Sequence, residues 1–307
     1  MTSKRRIRQI SVGFVFLTLV YLMFINPPVG LPNLRWVVRI TASLMLVYGA
    51  LIEPRRLEVT RHRVHVADLS PSLEGFTVLQ LTDFHWGSVG VTRRNLRRAV
   101  ETANSLNADL VALTGDYIMR QPKFLPGILD FLRCLTAKCG IYAVAGNHEW
   151  RAGSELESAL GSVGIRLLNN ECAQVQAGDA VVNVLGVGDP STKRDDLAAA
   201  LNQANPAAQF SLLLAHSPDI AKGLNGSPVD LALVGHTHGG QIGVPLLARL
   251  MRRSRDGRHY IAGWFTVGNA RMYVNRGIGH MYPFRLLCRP EIALFELTQS
   301  ADTSQVR

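Results

Sequence analysis

The sequence predicts an α/β domain carried behind an apolar N-terminal anchor. Three observations point to it. A strand, a capped helix and a second strand follow one another between Phe76 and Thr114, the unit from which parallel sheets are built. Five of the nine histidines stand just after apolar, strand-like runs, where α/β sheets place their sites. Two long apolar stretches fill most of the first 56 residues.

The anchor comes first. Ile10 to Ile25 is a nearly unbroken apolar run behind a basic start, slightly short of the ~20 residues a span needs. A signal peptide competes with this reading, but Asn26-Pro27-Pro28 follows and no A-x-A-like cleavage site is evident. The second stretch runs from Trp36 to Ile52, with Pro54 closing it and Arg39 placed to snorkel to the interface. Joined by the Pro/Gly-rich turn Asn26 to Asn33, the two are expected to form a helical hairpin. One span plus an interfacial helix is the alternative. Residues 1–63 hold ten Lys/Arg against Glu53 and Glu58, so only +2 of the net +10 is left for the other residues. Basic clusters beside apolar segments suit an anionic lipid surface better than nucleic acid. With both flanks basic, the positive-inside tendency puts both ends of the hairpin in the cytoplasm. The expected organisation is an anchor at 1–56, a soluble domain at 57–298 and a polar tail at 299–307. The expected location is the inner membrane, with the domain on the cytoplasmic side.

Within the domain, Phe76 to Thr82 reads as a strand, Thr92 as the N-cap of a helix through about Leu106, and Leu110 to Thr114 as the next strand. Pro126 to Leu135 reads as a helix before the strand Ile141 to Ala145. Ser154 with Glu157 suggests a capping box opening a third helix. Gln174 to Gln176 and Ala180 to Val187 are expected as antiparallel strands joined by Gly178-Asp179. A short helix over Asp195 to Asn202 precedes strands at Phe210 to Ala215 and Val229 to Val234. The C-terminal third is β-rich, with strands at Trp264 to Val267, Arg271 to Asn275 and Glu291 to Leu297. Cys134, Cys139, Cys172 and Cys288 form no C-x-x-C pair and read as free thiols; zinc binding by Cys134 and Cys139 is the weaker reading.

The chemistry lies at the strand ends. His236 and His238 follow the run Val229 to Val234 and are two apart, so an extended backbone points both imidazoles the same way. Such a pair can bind metal. Asp83-Phe84-His85, Gly115-Asp116, Gly146-Asn147-His148-Glu149 and His216 each follow another apolar run. A structural histidine or a capping aspartate explains any one of these, but not all five.

Taken in order, the five motifs resemble those of the calcineurin-like metallophosphoesterase family, over roughly residues 74 to 298. The segment Tyr273-Val274-Asn275-Arg276-Gly277 through Arg285 to Pro290-Glu291 is similar to the membrane-anchored bacterial branch, which includes pyrophosphatases acting on UDP-2,3-diacylglucosamine in lipid A biosynthesis. The resemblance implies a four-layer α/β/β/α sandwich around a two-metal centre. It implies that Asp83, His85 and His238 hold one ion, that Asn147, His216 and His236 hold the other, and that Asp116 bridges them. It makes His148 the proton donor or transition-state stabiliser. The residue types agree with this. Two divalent ions neutralise an anionic phosphate and clamp the attacking and leaving oxygens. Carboxylate, amide and imidazole ligands suit Mn²⁺ first, with Zn²⁺, Fe or a mixed pair as alternatives.

The expected activity is therefore hydrolysis of a phosphodiester or pyrophosphate bond in a phosphorylated, lipid-linked substrate such as UDP-2,3-diacylglucosamine. The alternatives are a phosphodiesterase for soluble nucleotides or generic diesters, and a non-catalytic scaffold. Membrane lipids are expected partners and nucleic acid is not. Arg276 is the candidate substrate-binding residue, and Arg285 lies in the same glycine-interrupted segment. Arg249, Arg252, Arg253, Arg255 and Arg258 form a basic stretch that reads as a solvated loop or a contact to anionic headgroups. Trp86 and Tyr117 adjoin motif residues and read as pocket lining or core packing.

Overall fold

Two six-stranded sheets packed face to face form the centre of the molecule, described here from a computed structural model. The structure describes residues 18–22, 32–243 and 260–299. The first sheet runs β1 (Glu58–His65), β12 (Glu291–Thr298), β2 (Thr77–Leu81), β3 (Leu110–Leu113), β4 (Ile141–Ala143), β5 (Ile165–Leu167). The second runs β10 (Gly263–Val267), β11 (Ala270–Val274), β9 (Leu231–Val234), β8 (Phe210–Leu214), β7 (Ala180–Gly186), β6 (Glu171–Ala177).

Alternation along each strand sorts the side chains into layers. Val78, Leu110 and Ala112 from the first sheet meet Val182, Leu212 and Leu231 from the second in the middle core. Leu79, Leu81 and Leu113 point the other way, against α2 (Arg93–Ser105), α3 (Leu125–Leu132) and α4 (Ser154–Gly161). Leu185, Leu213 and Val234 pack under α5 (Leu197–Leu201) and α6 (Ala221–Leu224). The result is the expected α/β/β/α sandwich.

Local chemistry explains most boundaries. The Thr92 hydroxyl accepts from Asn95 N–H at 3.2 Å and caps α2 as expected. Asp196 does the same for α5, accepting from Ala199 N–H at 2.9 Å. The capping box at Ser154 is not formed. Gly153 takes the cap position with φ 51° and ψ −132°, a conformation open to glycine, and Ser154 becomes the first helical residue. β1 was not expected: its sequence EVTRHRVH buries only Val64 fully, as an edge strand allows, and it pairs in parallel with β12.

Ahead of β1, α1 (Pro32–Val47) continues through a π-helical turn at Tyr48–Ile52 and a 3₁₀ turn at Glu53–Arg55. Among the described residues, one helix, Trp36–Arg55, is long and apolar enough to cross a membrane. Pro54 sits inside its last turn. Trp36, Val37, Ile40, Leu44 and Leu51 face outward, and the Arg39 guanidinium lies 5.4 Å from the Trp36 ring centre. Of the first apolar run only residues 18–22 are described, as helix, with Leu19 packed beside Ala42 and Phe284. The Asn26 to Asn33 turn lies almost wholly outside the described residues, and the arginines from Arg249 to Arg258 lie outside them entirely. All four cysteines are free thiols.

Candidate metal centre

Parallel strands deliver the site. β2, β3 and β4 of the first sheet end just before Asp83, Asp116 and Asn147-His148. β8 and β9 of the second end just before His216 and His236. The carboxyl ends of both sheets thus meet along one edge of the sandwich, where open α/β sheets place their ligands.

There the predicted residues converge. His85 Nε2 and His238 Nε2 are 2.9 Å apart, and Asp83 Oδ1 lies 3.6 and 3.3 Å from them. His216 Nε2 is 3.1 Å from His236 Nδ1 and 3.2 Å from Asp116 Oδ2. The same Asp116 oxygen is 3.5 Å from His85 Nε2, so Asp116 stands between the two groups. The donor atoms of Asp83, His85 and His238 lie within 4.8 Å of one another, as do those of Asp116, His216 and His236. A third group of this kind adds His148 to His85 and Asp116. Asn147 follows Gly146 on the loop, and the next residue, His148, donates its N–H to Asp116 Oδ1 at 2.9 Å.

The donor set fits a pair of cations. Asp83 Oδ1 and Asn147 Oδ1 are buried oxygens with no hydrogen-bond donor among the described residues. Ring nitrogens face one another where only one of each pair can carry a proton. His216 donates from Nδ1 to the Thr114 carbonyl at 2.8 Å, which leaves its Nε2 lone pair for a cation. A divalent ion in each cluster would satisfy all these lone pairs at once.

Charge is unevenly shared in the protein alone. Burial would raise the Asp83 carboxyl, but the His238 and His85 imidazoles hold it below its ordinary value. Burial acts likewise on Asp116, and His216, His148 and His85 carry it well below. Burial would lower His216, yet the Asp116 carboxylate keeps it well above the usual imidazole value. Burial lowers His148 to about 4 against the opposing pull of Asp116.

The backbone is under strain at the ligands. Asp83, His85, Asp116, His236 and His238 all have positive φ, between 49° and 70°. Each such residue costs about 1–2 kcal/mol in the left-handed region. Cross-braces between motifs hold them there. Asp83 Oδ2 accepts from His236 N–H and from the Thr82 hydroxyl, both at 2.9 Å.

Glu149 is the largest contribution that motif reading left without a role. Its Oε2 accepts from the N–H groups of Asp116 and Gly146 at 2.9 Å, and its Oε1 from Ile118 N–H at 3.1 Å. One carboxyl thereby clamps two ligand loops. Burial and the adjacent Asp116 push it up to about 8. Only its place in Gly146-Asn147-His148-Glu149 could have flagged it. Arg120 was also missed; its charge acts on His148 and helps lower that imidazole.

Other candidates lie elsewhere. The Arg276 guanidinium is held by Glu291 through Nε and by Glu58 through an Nη, each at 2.9 Å. The aliphatic stem of Arg276 passes beside Gly239, next to His238, while these two carboxylates hold its charged end. Arg285 is fully buried and donates to the carbonyls of Arg276, Gly277, Gly279 and Cys288. It braces the loop over Asp83, where Gly279 N–H donates to the Asp83 carbonyl at 2.7 Å. Tyr117 is buried and bonds the carbonyls of Leu113 and Val144, and Trp86 packs edge-on to Phe131. Both serve the core.

Comparison with known proteins agrees with this geometry. The chain is 32% identical over 258 residues to the phosphodiesterase YaeI of Escherichia coli, covering 81% of this chain and 92% of that protein. It is 30% identical to the uncharacterized metallophosphoesterase YkuE of Bacillus subtilis, covering 81% and 88%. It is 25% identical to the UDP-2,3-diacylglucosamine pyrophosphatase LpxG of Chlamydia trachomatis, covering 84% and 97%. The sequence model of the calcineurin-like phosphoesterase family matches residues 76–240, a span that holds every residue of both clusters, and the chain belongs to that family of phosphoric ester hydrolases.

Proposed function

We propose that the chain hydrolyses a phosphodiester or pyrophosphate bond in a lipid-linked substrate, of the UDP-2,3-diacylglucosamine kind, at the cytoplasmic face of the inner membrane. The observation that carries the hydrolysis is the meeting of two donor clusters at Asp116. The lipid part draws on the apolar helix Trp36–Arg55 and on the likeness to LpxG. Asp83, His85 and His238 would hold one divalent ion and Asn147, His216 and His236 the other, with Asp116 shared; Mn²⁺ is the favoured metal. Bound there, the pair supplies charge neutralisation of the phosphate and an activated nucleophile.

The protein's own groups do the rest. His148 faces the Ile118 carbonyl with Nδ1 at 3.3 Å, so Nδ1 carries the proton and Nε2 is bare in the neutral ring. An arriving phosphate anion raises the proton affinity of Nε2. Nε2 takes a proton from solvent as the anion binds and passes it to the leaving oxygen, which returns the ring to its neutral form, a step worth about 10²- to 10⁴-fold.

The test is hydrolysis by the purified full-length protein with Mn²⁺. UDP-2,3-diacylglucosamine in mixed micelles and bis-p-nitrophenyl phosphate are compared. Cleavage of the lipid substrate is expected. Cleavage of the soluble diester alone would favour the alternative, a phosphodiesterase for soluble nucleotides or generic diesters. Cleavage of neither, with any of several metals, would leave the scaffold reading. A reporter joined to the C-terminus should report the cytoplasm; a periplasmic signal would overturn the topology.

A further inference from the structure

We propose that Glu53 is a positioning residue for the Asp83–His85–His238 half of the metal centre, and that through it the apolar helix is part of the site's framework. The proposal rests on the two-ion reading above.

The helix and the site share one piece of chain, residues 282–288. On the helix side the approach is close. A Cβ on Gly49 would lie 2.5 Å from the Phe284 ring, and the Gly49 carbonyl accepts from Arg285 N–H at 2.8 Å. One turn on, Glu53 is 1% exposed, and its Oε1 accepts from Cys288 N–H at 2.5 Å. A carboxylate this deep in the fold needs a reason, because an imperfectly satisfied buried charge is costly.

On the site side, the same segment grips the His238 loop. Cys288 Sγ donates to the His238 carbonyl at 3.2 Å. The Gln241 amide donates to the carbonyls of Tyr282 and Phe284 at 2.9 and 2.7 Å. Leu286 N–H donates to the Gln241 carbonyl, and Gly243 N–H donates to that of Leu286. His238 itself has φ 53° and depends on these contacts to stay there. The path from the helix is therefore short: Glu53 fixes the Cys288 backbone, and Cys288 fixes His238. The Asp116–His216–His236 cluster stands one step further off, joined to this half by the Asp83 Oδ2 bond to His236 N–H and by Asp116 beside His85. Arg285, placed by Gly49, extends the same bracing to the loop on Asp83.

The test is a Mn²⁺ titration of the full-length, chelator-stripped protein in detergent, with free Mn²⁺ read by its electron spin resonance. Wild-type protein should bind two equivalents. Glu53→Ala should keep one at wild-type affinity and weaken the other about 10- to 100-fold, the usual effect of losing a partner behind a ligand. Glu53→Gln keeps the acceptor oxygen and should restore the second equivalent. Cys288→Ala, which cuts the path at its next step, should weaken the same equivalent even if Glu53→Ala does not fold. On an Asp83→Asn background, Glu53→Ala should have no further effect on the remaining ion. Equal weakening of both equivalents, or no change in either variant, would overturn the proposal, as would failure of Glu53→Gln to restore binding. Wild-type protein that binds fewer than two ions would overturn the two-ion reading itself, and this proposal with it.

Discussion

Gly146→Ala puts a single methyl group where the structure leaves no space. The new Cβ would lie 2.3 Å from Asp116 Oδ1 and 2.4 Å from Asp116 N. Ordinary contact requires about 3.4 Å or more, so the two loops must part by about 1 Å. Gly146 and Asp116 both donate to Glu149 Oε2 at 2.9 Å, and parting strains both bonds. Overpacking costs about 1–3 kcal/mol, and each buried donor left unsatisfied costs about as much again. A loss of about 2–5 kcal/mol is expected in urea unfolding with chelator present. A reacting geometry displaced by ~1 Å loses about 10²-fold in rate, so kcat on bis-p-nitrophenyl phosphate should fall by about that factor. Gly161→Ala is the control. It lies in the last turn of α4 with nothing within 4 Å of its Cβ position, and should stabilise by a few tenths to 1 kcal/mol. Gly146→Ala with stability within 0.5 kcal/mol and kcat within about threefold of wild type would refute the close-approach argument.

His148→Ala should lower kcat about 10²- to 10⁴-fold while the protein still binds two Mn²⁺ ions; loss of an ion would make His148 a ligand, as its grouping with His85 and Asp116 also permits. Burial holds His280 at about 4 in the fold against about 6.5 unfolded, so the unfolded chain binds the extra proton between those values. Stability is then full above pH 6.5 and falls as pH drops toward 4, by about 3 kcal/mol, and His280→Gln should show a shallower loss in urea unfolding across that window. Chelation should lower the melting temperature, since each ion held at 100 times its Kd contributes about 2.7 kcal/mol; an unchanged melt would contradict the reading that the unpartnered buried oxygens of Asp83 and Asn147 are cation ligands.

Periodic and local features were legible in the sequence. The strands delivering the motifs ran within a residue or two of their expected spans, and the Thr92 cap formed as its residue type suggests. The order of Asp83, His85, Asp116, Asn147, His148, His216, His236 and His238 was enough to nominate the site. What escaped were features set by partners distant in the chain. β1 carries arginines at alternate positions because its outer face meets solvent, and only its register with β12 makes it a strand. Arg276 looked available from sequence, but Glu58, 218 residues away, and Glu291 occupy its guanidinium. The left-handed backbone at five ligands could not be placed from residue type alone, since aspartate and histidine are enriched there but most of them stay in ordinary regions. Glu149 was visible as a letter in a motif, but its three N–H partners were not.

The pairing of β1 with β12 bears on how the protein is made. The Thr60 hydroxyl and the Glu291 carboxylate bond at 2.7 Å across 231 residues of chain. At ~5–20 residues per second, the ribosome needs on the order of 10–50 s to bridge that interval. Throughout it, the strand directly behind α1 waits without its neighbour. β2, β3 and β4 can pair with one another in that interval, but the edge of the first sheet beside the apolar helix is completed only when β12, near the end of the chain, inserts between β1 and β2.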